Sequence, residues 1–266
     1  MDNFQSEALR RIQSALESAR GILSRFTPGA IETEYKTGHD PVTEADRSVD
    51  AALRKELLQP GEGWLSEESA DDLNRLDRER VWVVDPLDGT REFVTGIPEF
   101  CISVAMVYRG RPVAGGICNP ATGEMITGSL ENGVSLNGKP VRASRRESLN
   151  GAVVLASRSE VKRGEWAEFD GAVFKVTAMG SVAYKLGLVA AGIADATFTL
   201  TPKHEWDVAA GAALVQSAGG FVQTLEGQSL TCNQRSPLLS GLVACGPHLR
   251  EELLQVIAER LPARSR

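Results

Sequence analysis

The sequence predicts a protein with an α+β first half followed by an α/β second half. Two helical patterns come first, strand and hairpin signals follow, and strands then alternate with helices. With 266 residues, 42% hydrophobic and 24% charged, the chain can bury a substantial core and has an ordinary globular composition. We predict halves of residues 1–145 and 146–266, because the polar stretch 143–150 separates the two patterns.

Both predicted N-terminal helices have a signal at one end. Apolar residues recur at helical spacing from Phe4 to Phe26, and Thr-Pro-Gly at 27–29 ends that pattern. The second helix begins near Thr43, because Thr43 and Asp46 resemble a capping box in which Asp replaces the usual Glu. Both helices precede the strands that we predict.

The rest of the first half predicts a mostly antiparallel sheet. Residues 81–84 are a short apolar run typical of a buried strand, which stops at Asp85 and Pro86. Residues 100–108 form a second strand that pairs with 111–118 across a two-residue turn. Asn-Gly dipeptides, which favour hairpin turns, follow at 132–133 and 137–138.

Strands and helices alternate in the second half, which is typical of an α/β layer. The predicted strands are 152–156, 173–177, 194–200 and 242–245. The predicted helices are 182–191, 207–217 and 247–260.

Charge and cysteine usage exclude several classes of protein. Lys plus Arg is 29 and Asp plus Glu is 35, so the net charge of −6 lacks the footprint of a nucleic-acid binder. No apolar run approaches the roughly 20 residues of a membrane helix, and the N-terminus lacks the apolar segment of a signal peptide. The cysteines form no CxxC pair, so we expect a reduced, cytoplasmic protein without a zinc site; they are Cys101, Cys118, Cys232 and Cys245.

Two carboxylates follow the 81–84 strand at a spacing of three residues. Asp85 and Asp88 would repel each other unless a cation lay between them, and Mg²⁺ prefers such oxygen ligands. Gly89, which comes next, permits close approach of a ligand. The alternative is a simple turn with Asp85 as a helix cap, since such signals are common. The spacing fits neither an EF-hand nor the Asp-x-Asp of phosphatases with an aspartyl nucleophile.

Two further acidic segments suggest that the same cation site draws on both halves. Glu67 lies about twenty residues before Asp85, and Asp207 precedes a helix rich in small residues. Taken singly, Glu67 could belong to a solvated helix start and Asp207 could be an N-cap. Together with Asp85 and Asp88, they outline a carboxylate-rich cation site.

Five segments resemble one family in the same order along the chain. They are Val-Thr-x-x-Asp at 42–46, Glu-Glu at 67–68, Asp-Pro-Leu-Asp-Gly-Thr at 85–90, Gly-Ser at 180–181 and Trp-Asp-Val-Ala-Ala-Gly at 206–211. They resemble the inositol monophosphatase superfamily of Mg²⁺-dependent, lithium-sensitive phosphomonoesterases. The resemblance implies a layered αβαβα sandwich of the sugar-phosphatase type. It also implies hydrolysis of a small phosphate monoester by metal-activated water.

The resemblance assigns the metal ligands residue by residue. By similarity, Glu67, Asp85 and the backbone carbonyl of Leu87 would hold a first Mg²⁺. Asp85, Asp88 and Asp207 would hold a second, and a third, weaker ion in some members lies near the Glu67 position. The implied cofactor is therefore two or three Mg²⁺ ions.

The same resemblance assigns catalytic and substrate contacts. Thr90 and Asp46 would orient the attacking water and help to deprotonate it, with Glu67 as a further catalytic carboxylate. The backbone N–H groups of Gly89 and Thr90 would receive the phosphate. The implied substrate contacts are Asp88, Gly89, Thr90, Gly180, Ser181 and Asp207.

The substrate stays open at this point. Thr-Arg-Glu-Phe at 90–93 is closer to 3′-phosphoadenosine 5′-phosphate phosphatases, whereas Gly-Ile-Pro at 96–98 is compatible with inositol or histidinol phosphate members. Arg91, Arg158 and Lys203 could meet a second phosphate or be solvated surface cations. We predict an inositol monophosphatase-like enzyme with the bisphosphate nucleotide and histidinol phosphate as alternatives. A metal-binding or regulatory protein without turnover is a further alternative.

Remaining polar residues and partners complete the prediction. The histidines at 39, 204 and 248 are expected to be bystanders, although His204 could touch the substrate rim. Lys36 either matches a family lysine near the third ion or is an ordinary solvated lysine. The expected partner is a small phosphorylated substrate, with no nucleic-acid polymer and no membrane. The sequence itself carries no sign of the oligomeric state. A homodimer is expected only by analogy with the family.

Overall fold

A computed structural model describes residues 4–35 and 41–261 of the chain. Two helices form the outer layer of the protein, beside the larger of its sheets. They are α1 (Phe4–Leu23) and α2 (Glu44–Leu57). The short strands β1 (Glu34–Tyr35) and β2 (Pro41–Val42) pair antiparallel between them. The predicted capping box at the start of α2 is confirmed, because Asp46 Oδ2 accepts a 2.8 Å hydrogen bond from the Thr43 N–H.

Seven strands form the larger sheet in the order β3-β4-β5-β6-β7-β8-β9. β3 runs parallel to β4 and every later neighbour is antiparallel, which confirms the predicted sheet type. The strands are β3 (Gly63–Ser66), β4 (Arg80–Asp88), β5 (Cys101–Tyr108), β6 (Arg111–Asn119), β7 (Glu124–Ser129), β8 (Gly133–Leu136) and β9 (Lys139–Val141). A 3-10 helix (Asn74–Asp77) precedes β4, and α3 (Thr90–Thr95) follows it.

β4 departs from the prediction at its end. The strand does not stop at Asp85 and Pro86 but continues to Asp88, which pairs with Cys101 after a shift of register. Pro86 cannot donate a ladder hydrogen bond, so the strand passes it through an irregularity rather than ending there. The irregularity lies between Asp85 and Asp88.

Five strands form the smaller sheet in the order β11-β10-β12-β16-β14. They are β10 (Val153–Ser157), β11 (Lys175–Met179), β12 (Ala196–Thr199), β14 (Phe221–Thr224) and β16 (Leu242–Cys245), and β13 (Lys203–His204) pairs separately with β15 (Leu238–Leu239). The accompanying helices are α4 (Arg158–Lys162), α5 (Val182–Ala190), α6 (Glu205–Ser217), α7 (Arg250–Arg260) and a 3-10 turn (Ala167–Phe169). β10 lies parallel to both β11 and β12, while β16 runs antiparallel to its neighbours.

Some predicted boundaries in this half are wrong by a few residues. The strand expected at 173–177 begins at Lys175, and the helix expected from 207 begins at Glu205. The last helix begins at Arg250 rather than 247. The end of the sheet at β14 was not predicted, because four residues carry too little periodicity for a strand signal.

Three hydrophobic clusters join these elements into five layers, α-β-α-β-α. One cluster packs α1 and α2 against the larger sheet, and a second encloses α5 and α6 between the two sheets. A third covers the far face of the smaller sheet with α7. The predicted αβαβα sandwich is therefore confirmed. The division into residues 1–145 and 146–266 stays a prediction.

Close packing fixes α6 in the middle layer. A Cβ on Gly211 would lie 2.3 Å from the Cβ of Leu186 on α5, and one on Gly115 would lie 2.4 Å from the Ala210 carbonyl oxygen. Only glycine fits at such a separation, so Gly211 on α6 and Gly115 on β6 let the helix pack closely against both neighbours. Among the described residues, no helix combines the length and apolar character that a membrane crossing needs.

Candidate active site

Three carboxylates from distant parts of the chain meet at one end of the larger sheet. Oxygens of Glu67, Asp85 and Asp207 all lie within 4.8 Å of one another. Glu67 directly follows β3, and its N–H donates to the Val84 carbonyl of β4 (3.3 Å), which places it beside Asp85. Asp207 reaches the same point from the first turn of α6. The structure thus brings together acids that the sequence places 18 and 122 residues apart.

Burial makes this cluster electrostatically unfavourable by itself. Asp85 is 1% exposed, and burial, followed by the charges of Glu67 and Asp88, raises its pKa well above the usual range. Burial and the same two neighbours also raise the pKa of Asp207. Carboxylates that raise one another's pKa in this way are stabilised by a cation placed between them.

Asp207 does not cap α6 in the way the sequence suggested. His204 is the N-cap residue, and Asp207 stands three residues later, where its Oδ2 accepts the His204 N–H at 2.9 Å. The His204 ring is stacked on Trp206 with centroids 4.4 Å apart at the cavity rim. Asp207 therefore fixes the helix start and faces the other acids at the same time.

Asp88 is held from the opposite side. Its Oδ2 accepts hydrogen bonds from Ser181 Oγ (2.7 Å) and from the Ala183 N–H (2.6 Å). Burial raises the pKa of Asp88, and these two bonds together with the nearby Lys185 charge oppose that effect. Ser181, predicted as a substrate contact, is thus bound directly to a predicted metal ligand.

Thr90 and Asp46 form a hydrogen-bonded pair beside the cluster. Thr90 Oγ1 lies 3.0 Å from Asp46 Oδ1 and 2.9 Å from the Leu87 carbonyl oxygen. The other oxygen of Asp46 accepts from both the N–H and the hydroxyl of Thr43, at 2.8 and 2.6 Å. Burial raises the pKa of Asp46. The capping box of α2 therefore also orients a carboxylate toward Thr90.

Gly89 has a backbone conformation that requires glycine. Its φ is +95°, and a Cβ there would lie 2.8 Å from the Glu99 carbonyl oxygen. The turn exposes the start of α3 to the cavity, which is where phosphate was expected.

These residues line a cavity of about 400 Å³. All of the predicted metal ligands and substrate contacts line it, namely Glu67, Asp85, Leu87, Asp88, Gly89, Thr90, Gly180, Ser181 and Asp207. Asp46 stands behind Thr90 and completes the predicted set. Lys36, His39 and Asp40 lie outside the described residues.

Two cations that line the cavity, Arg158 and Lys203, are paired within the chain. Arg158 forms ion pairs with Glu99 and Glu92. Lys203 Nζ lies 3.3 Å from Glu160 and 2.7 Å from Thr201 Oγ1, with its side chain only 13% exposed. Neither is the freely solvated surface cation that the sequence left open.

Sequence reasoning missed Lys185 and Glu160 near this cavity. Lys185 is 1% exposed and Glu160 is fully buried. A single lysine in the apolar run of α5 is a signal that could have revealed the first. Glu160 stands in an ordinary polar stretch, and only its contacts distinguish it.

Comparisons with known proteins decide the family. Residues 1–262 match the model of the inositol monophosphatase family. The chain belongs to this family. It is a phosphoric monoester hydrolase.

Relatives of this phosphatase match nearly its whole length. It is 34% identical to an inositol-1-monophosphatase of Rhizobium meliloti, over 88% of this chain and 89% of the relative. It is 31% identical to the Nus factor SuhB of Escherichia coli, over 94% of this chain and 95% of the relative. The solved SuhB of Bartonella henselae superposes with a TM-score of 0.83 at 29% identity, covering 96% of this chain and all of that one. The Thermotoga maritima IMPase superposes with a TM-score of 0.81 at 28% identity, covering 98% of each chain.

The donor set of the phosphatase fits a hard divalent cation. Its converging ligands are carboxylate oxygens, which Mg²⁺ prefers, and no thiol or imidazole is among them. The buried acids repel one another, so a bound cation would relieve an unfavourable charge density.

Proposed function

We propose that this phosphatase hydrolyses an inositol monophosphate-type monoester with Mg²⁺ held by Glu67, Asp85, the Leu87 carbonyl, Asp88 and Asp207. The observation that carries the proposal is the convergence of Glu67, Asp85 and Asp207 within 4.8 Å on one wall of the cavity. The proposed number of ions, two or three, rests on the family resemblance.

Bound Mg²⁺ supplies Lewis acidity that activates the attacking water and neutralises charge on the transferring phosphoryl group. Thr90 and Asp46 would provide the proton path. The Thr90 hydroxyl can donate to Asp46 Oδ1 (3.0 Å) or to the Leu87 carbonyl (2.9 Å), and in either case its oxygen lone pairs remain able to accept from water. A proton leaving the water would pass by way of Thr90 toward Asp46, with Glu67 as a second acceptor.

The start of α3 would bind the phosphate. The N–H groups of Gly89 and Thr90 stand at the N-terminus of that short helix, beside the carboxylates. Gly180, Ser181, Asp88 and Asp207 line the remainder of the cavity, where they would contact the alcohol part of the substrate.

The pairing of two of the three candidate cations favours an uncharged alcohol part over a second phosphate. Arg158 and Lys203 are neutralised by Glu92, Glu99 and Glu160, so they offer little net positive charge to another anion. A polyol such as inositol needs hydrogen bonds rather than a cation there. The inositol-1-monophosphatase name of the Rhizobium meliloti relative supports this choice over the bisphosphate nucleotide and histidinol phosphate.

The cellular setting is also a proposal. All four cysteines are unpaired and buried, which fits a reducing compartment and supports a cytoplasmic location. Lithium sensitivity and a homodimer rest on the family resemblance. Several relatives carry the Nus factor name, but the family favours a phosphatase over the regulatory protein without turnover that the sequence left open.

One assay tests the function. We would compare kcat/KM for inositol 1-phosphate, histidinol phosphate and 3′-phosphoadenosine 5′-phosphate, with and without Mg²⁺. We expect a preference of about 100-fold or more for inositol 1-phosphate, roughly 2.7 kcal/mol at the transition state. The matched control is Asp77→Asn, on the exposed end of the 3-10 helix, which should match the wild type.

Two results would overturn the proposal. Hydrolysis that needs no Mg²⁺ and survives Asp85→Asn would remove the metal site from the reaction. Calorimetric binding of Mg²⁺ with no turnover of any of the three esters would favour the regulatory alternative.

A further inference from the structure

Lys185 is a buried cation that the proposed reaction does not use. It stands on α5, 1% exposed, where burial lowers its pKa to about 8 against the opposing charge of Asp88. Burying an ammonium group is costly unless its donors are used. Its Nζ donates to three consecutive carbonyl oxygens, those of Met179 (3.3 Å), Gly180 (3.3 Å) and Ser181 (2.7 Å). All three donors of the ammonium group are therefore directed at one turn.

That turn has a backbone conformation that needs support. Ser181 has φ +53° and ψ 117°, in a region that residues other than glycine rarely occupy. Such a conformation persists only where the surroundings over-determine it. Lys185 holds its carbonyl groups, while the Gly180 N–H donates to Glu99 Oε2 at 2.7 Å.

The turn places two donors on one oxygen of Asp88. Ser181 Oγ and the Ala183 N–H both reach Asp88 Oδ2, at 2.7 and 2.6 Å. With Oδ2 held in this way, the carboxylate cannot rotate freely, and Oδ1 is left to bind a ligand. Hydrogen bonds of this kind behind a metal ligand set its orientation and affinity.

We propose that Lys185 is a positioning residue that holds the 179–181 turn in the conformation in which Ser181 and Ala183 orient Asp88 toward the metal. The proposal rests on the proposed function only in taking Asp88 as a metal ligand. Lys185 also lines the cavity, but its ammonium donors are directed at the carbonyl groups of the turn. It acts through the turn.

A double-mutant cycle on the full-length protein tests this. The variants are Lys185→Met, which keeps the chain length without charge or donors, Ser181→Ala, and the double substitution. The readout is the Kd of Mg²⁺ alone by calorimetry, together with the Mg²⁺ dependence of kcat. We expect each single change to weaken Mg²⁺ binding about 10- to 100-fold, as for other partners of metal ligands. The double variant should bind Mg²⁺ no more weakly than whichever single variant binds it less tightly. Both changes break the same support, so their effects should not add.

A control separates positioning from a general loss of stability. Arg11→Met removes another partly buried cation, which donates to Glu62 at 2.7 Å in the outer helical layer. It should lower the melting temperature and leave the Mg²⁺ Kd unchanged. If Lys185→Met does not fold, Lys185→Gln keeps two donors and should give an intermediate Kd.

Three outcomes decide the matter. A folded Lys185→Met protein with the wild-type Kd would overturn the positioning role, and so would effects of Lys185→Met and Ser181→Ala that simply add. The effects on the Mg²⁺ Kd could instead be non-additive, as expected, in a protein that hydrolyses none of the esters. That result would support the positioning role and contradict the proposed function.

Discussion

Two buried carboxylates near the cavity have opposite surroundings. Glu160 is fully buried and accepts from Trp166 Nε1 (3.0 Å), Thr201 Oγ1 (2.7 Å) and the Leu200 N–H (3.2 Å), with Lys203 also in contact. Asp85 is 1% exposed and accepts from the Leu87 N–H at 3.0 Å. The charges that act most strongly on Asp85 are all negative.

The two pKa values move in opposite directions as a result. Burial by itself raises the pKa of Glu160, but the Trp166 hydrogen bond and the Lys203 charge outweigh it and lower the pKa overall. Burial and the neighbouring acids raise the pKa of Asp85 together. The chain supplies the counter-charge for Glu160 and leaves that of Asp85 to a ligand. Equal burial therefore serves structure at Glu160, whereas at Asp85 it fits the proposed metal binding.

The largest expected effect is that of removing the charge of Asp85. Asp85→Asn should lower kcat/KM by at least about 10³-fold, roughly 4 kcal/mol, because the proposed central metal ligand is lost. The metal-free variant should nevertheless melt no lower than wild type, since the substitution removes repulsion within the acid cluster. A metal-free Asp85→Asn protein that melts well below the wild type would show that charge repulsion among the acids does not destabilise the metal-free fold.

Removing the charge of Glu160 should act on stability instead. Glu160→Gln should lower the free energy of unfolding by about 3 kcal/mol, because it leaves Lys203 without its buried partner. Urea denaturation measures this. The exposed change Glu131→Gln is the control and should alter stability by less than about 0.5 kcal/mol. A loss as small as that of the control would mean that Lys203 finds another partner.

Mg²⁺ should distinguish the two sites through stability alone. At a concentration of about 100 Kd, Mg²⁺ should stabilise the wild type by roughly 2.7 kcal/mol, since it binds only the folded chain. Glu160→Gln should keep most of this gain and Asp85→Asn should lose it. Thermal unfolding with and without the ion gives both values, and equal gains in the two variants would contradict the comparison.

The smallest expected effect is on the pH dependence of stability. Because the folded pKa of Glu160 is lowered, its contribution is present above the usual Glu pKa of about 4.3 and is lost as pH falls through the folded value. The difference in unfolding free energy between wild type and Glu160→Gln should thus shrink as the pH falls from 7 to 3. A difference that stays constant over this range would show that the charge of Glu160 carries no stability.

Elements with strong local signals could be predicted from the sequence. The periodicity of α1, the capping box of α2 and the β5–β6 hairpin all depend on residues close together in the chain. β3 and β14 are four residues long and carry too little pattern to detect. β4 was predicted too short because Pro86 normally ends a strand, whereas here the pairing resumes at Asp88.

The sequence by itself predicted which acids form the candidate site, because their motifs are local and occur in the order of one family. Only the tertiary structure decided how those acids meet: the parallel pairing of β3 with β4 brings Glu67 beside Asp85, and the close packing of α6 brings Asp207. It also decided that Lys203 is paired and that Lys185 supports the turn behind Asp88. The sequence letter of a charged residue does not show whether the group is solvated, paired or placed to bind a ligand. The free energy of the charge depends on burial and on neighbouring groups, and folding determines both.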